Sequence, residues 1–267
     1  MSPIVLIVIA AGAASLIGVF LYFQNNAVVV TRYDVETEKS VQDFRIVHLS
    51  DLHNKTFRKG RLFQKIRAEK PDLIAVTGDF ISRWTKDCSR MLETAHKLEN
   101  IAPVYFVPGN HEYGNPQGME FMRRLSRVVT ACLQNETAET PVKGVVITAL
   151  DEIGYGVRRE DFLASLDKTG GFKILLSHYA DYEEEYQTYD VDLVLSGHAH
   201  GGQFILPLIG GLYSSTQGVF PKHYRGMTKR NGTFSVISRG LGNSRFPFRL
   251  FNYPEIVSIS VHSEKKL

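Results

Sequence analysis

Five short runs in this chain carry side chains able to bind a cation, and four of them follow directly on an apolar, strand-like stretch. Residues 44–49 lead into Asp51-Leu52-His53, and residues 72–76 lead into Gly78-Asp79. Residues 104–107 lead, through Pro108, into Gly109-Asn110-His111-Glu112. Residues 172–176 feed Ser177-His178, and residues 191–195 feed Gly197-His198-Ala199-His200. Helical spacing fills the gaps at 62–68, 88–98, 117–127 and 159–166. Strands that alternate with helices imply crossover connections and a layered α/β domain. Ligands in such sheets sit outside the carboxyl ends of the strands, so the five runs are expected to share one rim.

Further strands are expected at 28–33, 128–132, 145–150, 234–238 and 256–261. The Gly-rich stretch 201–218 reads as loop, and no internal repeat or second domain boundary is visible. A composition of 43% hydrophobic and 22% charged residues is that of a globular domain. A net charge of +3, with Lys and Arg scattered, lacks the concentrated basic patch of a nucleic-acid partner. Cys88 and Cys132 form no framework and read as plain buried thiols.

The N-terminus constrains location. No charged side chain occurs before Arg32, and residues 3–23 are almost wholly apolar. A bilayer crossing takes about 20 apolar residues. A cleaved signal peptide normally has Lys or Arg ahead of its apolar core, and none is present. Residues 1–26 are therefore expected to be a single-pass membrane anchor, with Tyr22 and Phe23 at the interface, and 27–267 to be the catalytic domain. The N-side of the span offers only the α-amine and the short segment after it is mixed and slightly acidic, and the domain is expected outside the cytoplasm.

The donor types point to a particular kind of metal. A mixed His/Asp/Asn set without thiolate suits Mn, Fe or Zn rather than a closed structural zinc site. Asp51 and His53 can reach one ion, His198 and His200 can divide between two, and Asp79 can bridge. Asn110 adds an amide oxygen. Two divalent ions about 3.5–4 Å apart clamp the attacking and leaving oxygens of a displacement at phosphorus and activate a water lying between them. His111, beside Asn110, can then protonate the leaving group. The other histidines, His48, His96, His223 and His262, form no competing cluster and read as ordinary core or surface residues.

In their order, these runs resemble the five blocks of the calcineurin-like metallophosphoesterase superfamily, across roughly residues 44–261. The run from Gly197 to Gln203, residues 238–242 and residues 246–255 are similar to the bacterial membrane-associated phosphodiesterase branch. The resemblance implies a four-layer α/β/β/α sandwich of two mixed sheets, preceded here by the N-terminal transmembrane helix. It also implies that Asp51, His53, Asp79 and His200 hold a first metal. Asp79, Asn110, His178 and His198 would hold a second, with His111 as the proton donor. The run Asp79-Phe80-Ile81-Ser82 lacks the Tyr that purple acid phosphatases place three residues on, which disfavours a redox-active iron site. It also lacks the Asp-Arg-Gly of protein Ser/Thr phosphatases, although Arg83 falls where that Arg would and could contact a phosphate. The expected substrate is a phosphate-ester small molecule or an amphiphile, cleaved as a phosphodiester. Two alternatives stay open: pyrophosphate cleavage of a lipid-linked nucleotide, as in UDP-2,3-diacylglucosamine hydrolases, and a metal-stabilised binding module without activity.

Overall fold

The computed structural model describes residues 1–57, 60–154, 158–166, 170–243 and 246–264. Helix α1, Pro3–Asn26, is exposed along nearly its whole length and is long and apolar enough to cross a membrane, a test that a signal sequence also passes. The first half of the chain then lays down strands β1 (Val29–Thr37) and β2 (Phe44–Leu49), helix α2 (Arg61–Glu69), β3 (Leu73–Thr77), α3 (Ser89–Glu99) and β4 (Val104–Val107). A short helix α4 (Asn110–Gly114), α5 (Gly118–Leu125) and β5 (Ala131–Cys132) follow.

The second half builds another sheet. It contributes β6 (Glu136–Glu139), β7 (Val145–Leu150), α6 (Arg159–Ser165), β8 (Phe172–Tyr179), α7 (Glu183–Tyr186) and β9 (Leu193–Gly197). A 3₁₀ turn at His200–Gly202 opens two small hairpins, β10 (Ile205–Leu206) with β11 (Gly210–Gly211), and β12 (Tyr213–Ser214) with β13 (Gly218–Val219). Strands β14 (Gly226–Arg230) and β15 (Thr233–Ile237) complete this sheet, and β16 (Glu255–Ser263) returns to the first.

The first sheet runs β1-β16-β2-β3-β4-β5 and the second β14-β15-β9-β8-β7-β6. Both are mixed: β2, β3, β4 and β5 are parallel, as are β7, β8, β9 and β15, while β16 runs against β2 and β6 against β7. One apolar core lies between the sheets and includes Ile46, Val107, Ile174, Leu195 and Ile259. A second core packs α2, α3 and α5 on the outer face of the first sheet through Ile66, Met91 and Phe121. A third packs α6 and α7 on the second sheet through Leu163, Tyr186 and Val194. This is the expected α/β/β/α sandwich of two mixed sheets.

Several local expectations need correction. Residues 128–130 are not strand: Val128 and Val129 donate to Leu125 O at 2.8 and 3.0 Å and close the end of α5, leaving only Ala131–Cys132 to pair. Strand β1 continues four residues past 33, because β16 offers it a parallel partner as far as Ser263. His178 lies inside β8 rather than after it, where the pairing with β9 slips between Leu176 and Tyr179. The 201–218 stretch is not plain loop but the two hairpins. Cys88 is buried as expected, whereas Cys132 is only half-buried.

Candidate metal centre

The carboxyl ends of β2, β3 and β4 from one sheet meet β8 and the end of β9 from the other. The backbone turns sharply there. Asp51, His53, Asp79, His198 and His200 all have φ between 48° and 64°. That left-handed conformation costs a non-glycine residue roughly 1–2 kcal/mol, and here it folds the side chains back over the strand ends. Glycines make the close approach possible. A Cβ on Gly78, at φ 75°, would stand 2.6 Å from Gly109 N and 2.7 Å from His178 Nδ1. A Cβ on Gly109 would stand 2.5 Å from Asp79 Oδ1. The two strand-end loops thus touch backbone to backbone.

Donor atoms gather in two overlapping groups. Asp51, His53, Asp79 and His200 each offer an atom within 4.8 Å of the others, and so do Asp79, His178 and His198. Within the first group, His53 Nε2 and His200 Nε2 are 3.0 Å apart, and Asp51 Oδ1 is 3.3 Å from His200 Nε2. In the second, His198 Nδ1 lies 3.0 Å from His178 Nε2, which is 3.2 Å from Asn110 Oδ1. Asp79 Oδ2 faces both, 3.5 Å from His53 Nε2 and 3.4 Å from His178 Nε2. All seven residues are buried except Asn110, which is half-buried.

This donor set fits divalent cations. Asp51 Oδ1 is buried and has no hydrogen-bond partner among the described residues, while Oδ2 accepts from Ser50 Oγ and His198 N at 2.7 and 3.0 Å. His53 and His200 turn ring nitrogens towards one point, 3.0 Å apart, as do His178 and His198, and an imidazole nitrogen that carries no hydrogen offers its lone pair to a cation. Burial holds His53 and His198 down at about 3, so both are neutral ligands at neutral pH. Burial opposes charge on His178 as well, yet the carboxylates of Asp79 and Asp51 outweigh it and lift its pKa to about 10. That lift reflects the negative charge that Asp79 and Asp51 bring to the site, a charge that a divalent cation would balance, with His178 then neutral and binding through Nε2. Burial likewise raises Asp51 to about 6, whereas Asp79, against its own burial, is held well below the usual range by His178.

Neighbouring groups fix the rings. His178 Nδ1 lies 2.8 Å from Thr77 O, and Ser215 Oγ lies 2.9 Å from His198 Nε2, which leaves His178 Nε2 and His198 Nδ1 turned inward. His111 donates its backbone N–H to Asp79 Oδ1 at 2.8 Å. Its Nδ1 accepts from Arg83 N at 3.0 Å, so the neutral ring carries its hydrogen on Nε2, 3.9 Å from Asp79 Oδ2. Burial lowers the His111 pKa, with Asp79 acting in the opposite sense.

A cavity of about 510 Å³ opens over these residues, lined by Asp79, Asn110, His111, His198 and His200. Arg83 and Trp84 lie at its mouth, and Ser215 and Thr216 reach it from the turn between β12 and β13. The structure therefore brings together every residue singled out from the sequence, with Arg83 exposed at the edge. Reading the sequence missed Trp84, Tyr179, Ser215 and Thr216 in the lining. It also gave Glu112 no role. That buried carboxylate accepts from the backbone N–H groups of Asp79 and Gly109, both at 2.8 Å, and of Ile81 at 3.1 Å. The only sequence signal was its place beside Asn110 and His111.

Comparison with known proteins agrees with this geometry. The family model described as calcineurin-like phosphoesterase matches residues 44–202. A metallophosphoesterase of Aquifex aeolicus strain VF5 is 30% identical over 93% of this chain and 97% of its own length. The Bacillus subtilis strain 168 metallophosphoesterase YkuE is 27% identical over 96% of this chain and 94% of its own. Among solved structures, the NAD nucleotidase NadN of Haemophilus influenzae superposes with a TM-score of 0.50 at 18% identity, covering 76% of this chain and 46% of that one, a likeness of fold alone. A family match over more than half of the chain, with a 30% identical relative covered almost end to end, makes this chain a calcineurin-like phosphoesterase, a metal-dependent hydrolase of phosphoric esters.

Proposed function

We propose that this chain is a membrane-anchored phosphodiesterase working with two divalent ions, with α1 as the anchor and residues 27–267 as the catalytic domain. The observation that carries the reading is the pair of donor groups sharing Asp79 beneath one cavity. Asp51, His53, Asp79 and His200 would hold one ion, and Asp79, Asn110, His178 and His198 the other. Nitrogen and oxygen donors without thiolate suit Mn, Fe or Zn. When bound, the ions supply Lewis acidity at the phosphoryl group and an activated water.

The remaining work falls to the chain. His111 presents Nε2–H towards the cavity and delivers a hydrogen bond, then a proton, to the departing oxygen. Arg83 offers a guanidinium to a non-bridging phosphate oxygen, and Trp84 gives the ester substituent a flat apolar face beside it. Ser215 keeps His198 turned inward. An apolar helix joined to the domain favours an amphiphilic substrate, including the nucleotide-linked lipid variant of this reading.

The test is turnover of bis(p-nitrophenyl) phosphate with Mn²⁺. Asp79→Ala should abolish it, and His111→Ala should reduce it by about 10²–10⁴. Turnover like the parent in either variant would sink the assignment. Release of UMP from a lipid-linked UDP-sugar, at a rate above that of simple diesters, would identify the pyrophosphate variant.

A further inference from the structure

Several of the domain's exposed apolar side chains, Leu208, Ile209, Phe248 and Phe251, lie on segments linked to the end of α1. The last turn of α1 does not end in a free tether. Gln24 is buried and donates from Nε2 to Tyr253 Oη at 2.9 Å. Asn25 Oδ1 accepts from Asn243 Nδ2 at 2.9 Å and Arg249 N at 3.0 Å. The Phe20 ring meets Phe251 edge-on at 5.7 Å. The segment that grips the helix, residues 246–253, exposes Phe248 and Phe251.

That segment is joined in turn to the β10–β11 hairpin. Ile205 N donates to Leu250 O at 3.0 Å, and the Phe204 ring packs at 5.4 Å against both Phe246 and Phe248. The hairpin tip carries Leu208, at φ 66°, and Ile209, both bare to solvent. A left-handed, fully exposed Leu gains nothing from the rest of the chain. A run of such groups this continuous marks a surface that something apolar covers.

We infer that this face rests in the interface of the same lipid bilayer that α1 crosses, with Leu208, Ile209, Phe248 and Phe251 seated among the headgroups and upper acyl chains. The inference rests on the reading of α1 as an anchor, and length sets the depth. A hydrocarbon core of about 30 Å takes about 20 helical residues, and counting from Pro3 this reaches Tyr22. Phe20 then lies at the edge of the core, and Phe251 beside it shares that depth. The other side of the exit is a groove lined by Tyr22, Phe23 and Phe57 together with Arg61 and Lys65. Aromatic and basic side chains together suit the headgroup layer of an anionic membrane. The Gly-rich segment that bears the hairpin tip also sends Ser215 and Thr216 into the catalytic cavity. The site therefore opens next to lipid, and its substrate class becomes phosphoesters with an acyl or prenyl tail.

The full chain, one copy per phosphatidylcholine–phosphatidylglycerol nanodisc, can be labelled with bimane after Leu208→Cys, Ile9→Cys or Glu120→Cys, with the unmodified chain correcting for Cys88 and Cys132. Doxyl-lipid quenchers should at least halve, by about twofold or more, the emission at positions 9 and 208 and leave that at 120 unchanged, as interfacial insertion requires. Quenching at 9 but not at 208 overturns the inference and leaves the anchor standing. Quenching at neither overturns both. A label at 208 that is blue-shifted only in multi-copy detergent samples assigns the face to a second copy instead, and also overturns it. In parallel, Leu208→Glu combined with Ile209→Glu should lower turnover of a lipid-tailed diester about tenfold relative to bis(p-nitrophenyl) phosphate. Equal effects on both substrates would refute the link to substrate delivery.

Discussion

Replacing Glu112 by Gln tests how the metal centre is held in place. Glu112 is fully buried, and its Oε2 accepts from Asp79 N and Gly109 N while Oε1 accepts from Ile81 N. These three amides lie in the two loops that carry Asp79 and Asn110. Burial and the nearby Asp79 push the Glu112 carboxyl up to about 7, so its charge is already costly to maintain. A Gln side chain keeps one acceptor oxygen and turns an NH₂ towards at least one of the backbone donors. A buried donor left without an acceptor costs roughly 1–3 kcal/mol. Glu112→Ala strands all three donors, roughly 3–9 kcal/mol in sum, a large share of the roughly 5–15 kcal/mol that keeps a domain folded. The Gln variant is therefore the informative one. It should unfold in urea about 1–3 kcal/mol more easily when metal-free. It should also bind Mn²⁺ about 10–100-fold more weakly by titration calorimetry, as changes behind the ligands typically do. Stability within about 0.5 kcal/mol of the parent, with unchanged Mn²⁺ affinity, would refute the idea that Glu112 ties the two loops together.

Three further outcomes follow from the geometry. Gly109→Ala forces a Cβ to within 2.5 Å of Asp79 Oδ1, so turnover of bis(p-nitrophenyl) phosphate should fall by about 10²-fold, the cost of a misplaced reacting group, with the circular dichroism spectrum retained. His48 is buried and neutral, held at about 3 by burial against an ordinary value of 6.5. Its contribution to stability is therefore complete above pH 6.5 and lost as pH falls towards 3, at about 1.4 kcal/mol per pH unit. Urea midpoints at pH 7, 5.5 and 4.5 should fall less steeply for His48→Gln than for the parent. Chelation with EDTA should abolish turnover and lower the melting temperature, and adding back Mn²⁺ at about 100 times its Kd should restore about 2.7 kcal/mol.

Much of the site could be read from sequence because the physics there is local. An apolar run that stops at Gly or Pro and then shows Asp, Asn or His is a strand end, and parallel topology brings such ends together. The runs at Asp79, Asn110 and His198 all carried that signal, and the run at Asp51 carried it with Ser50 in place of the glycine. What escaped notice depended on partners distant in the chain. Strand β6 is Glu-Thr-Ala-Glu and β14 is Gly-Met-Thr-Lys-Arg. Both are edge strands with little apolar alternation, made strand only by β7 and β15 beside them. Residues 128–130 are β-branched, yet the end of α5 captured the amides of Val128 and Val129, and Glu99 that of Thr130. The hairpins of 205–219 hide behind glycines that suggest loop. Glu112 escaped because a carboxylate that accepts backbone hydrogen bonds leaves no spacing pattern.

The place of β16 has a consequence for how the molecule is made. Among the described residues β1 pairs only with β16, in register from Val29↔Glu255 to Thr37↔Ser263, and β16 lies between β1 and β2. A strand that leaves the ribosome directly behind α1 must wait for more than 200 further residues before its partner exists. Pairings this distant close late and slowly. During that wait β1 presents an unpaired edge, open to a neighbouring chain. If α1 has already entered the bilayer, nascent chains held in one plane raise the local concentration of such edges. Growth temperature and synthesis rate should then govern the yield of folded protein more strongly than the stability of the finished fold does.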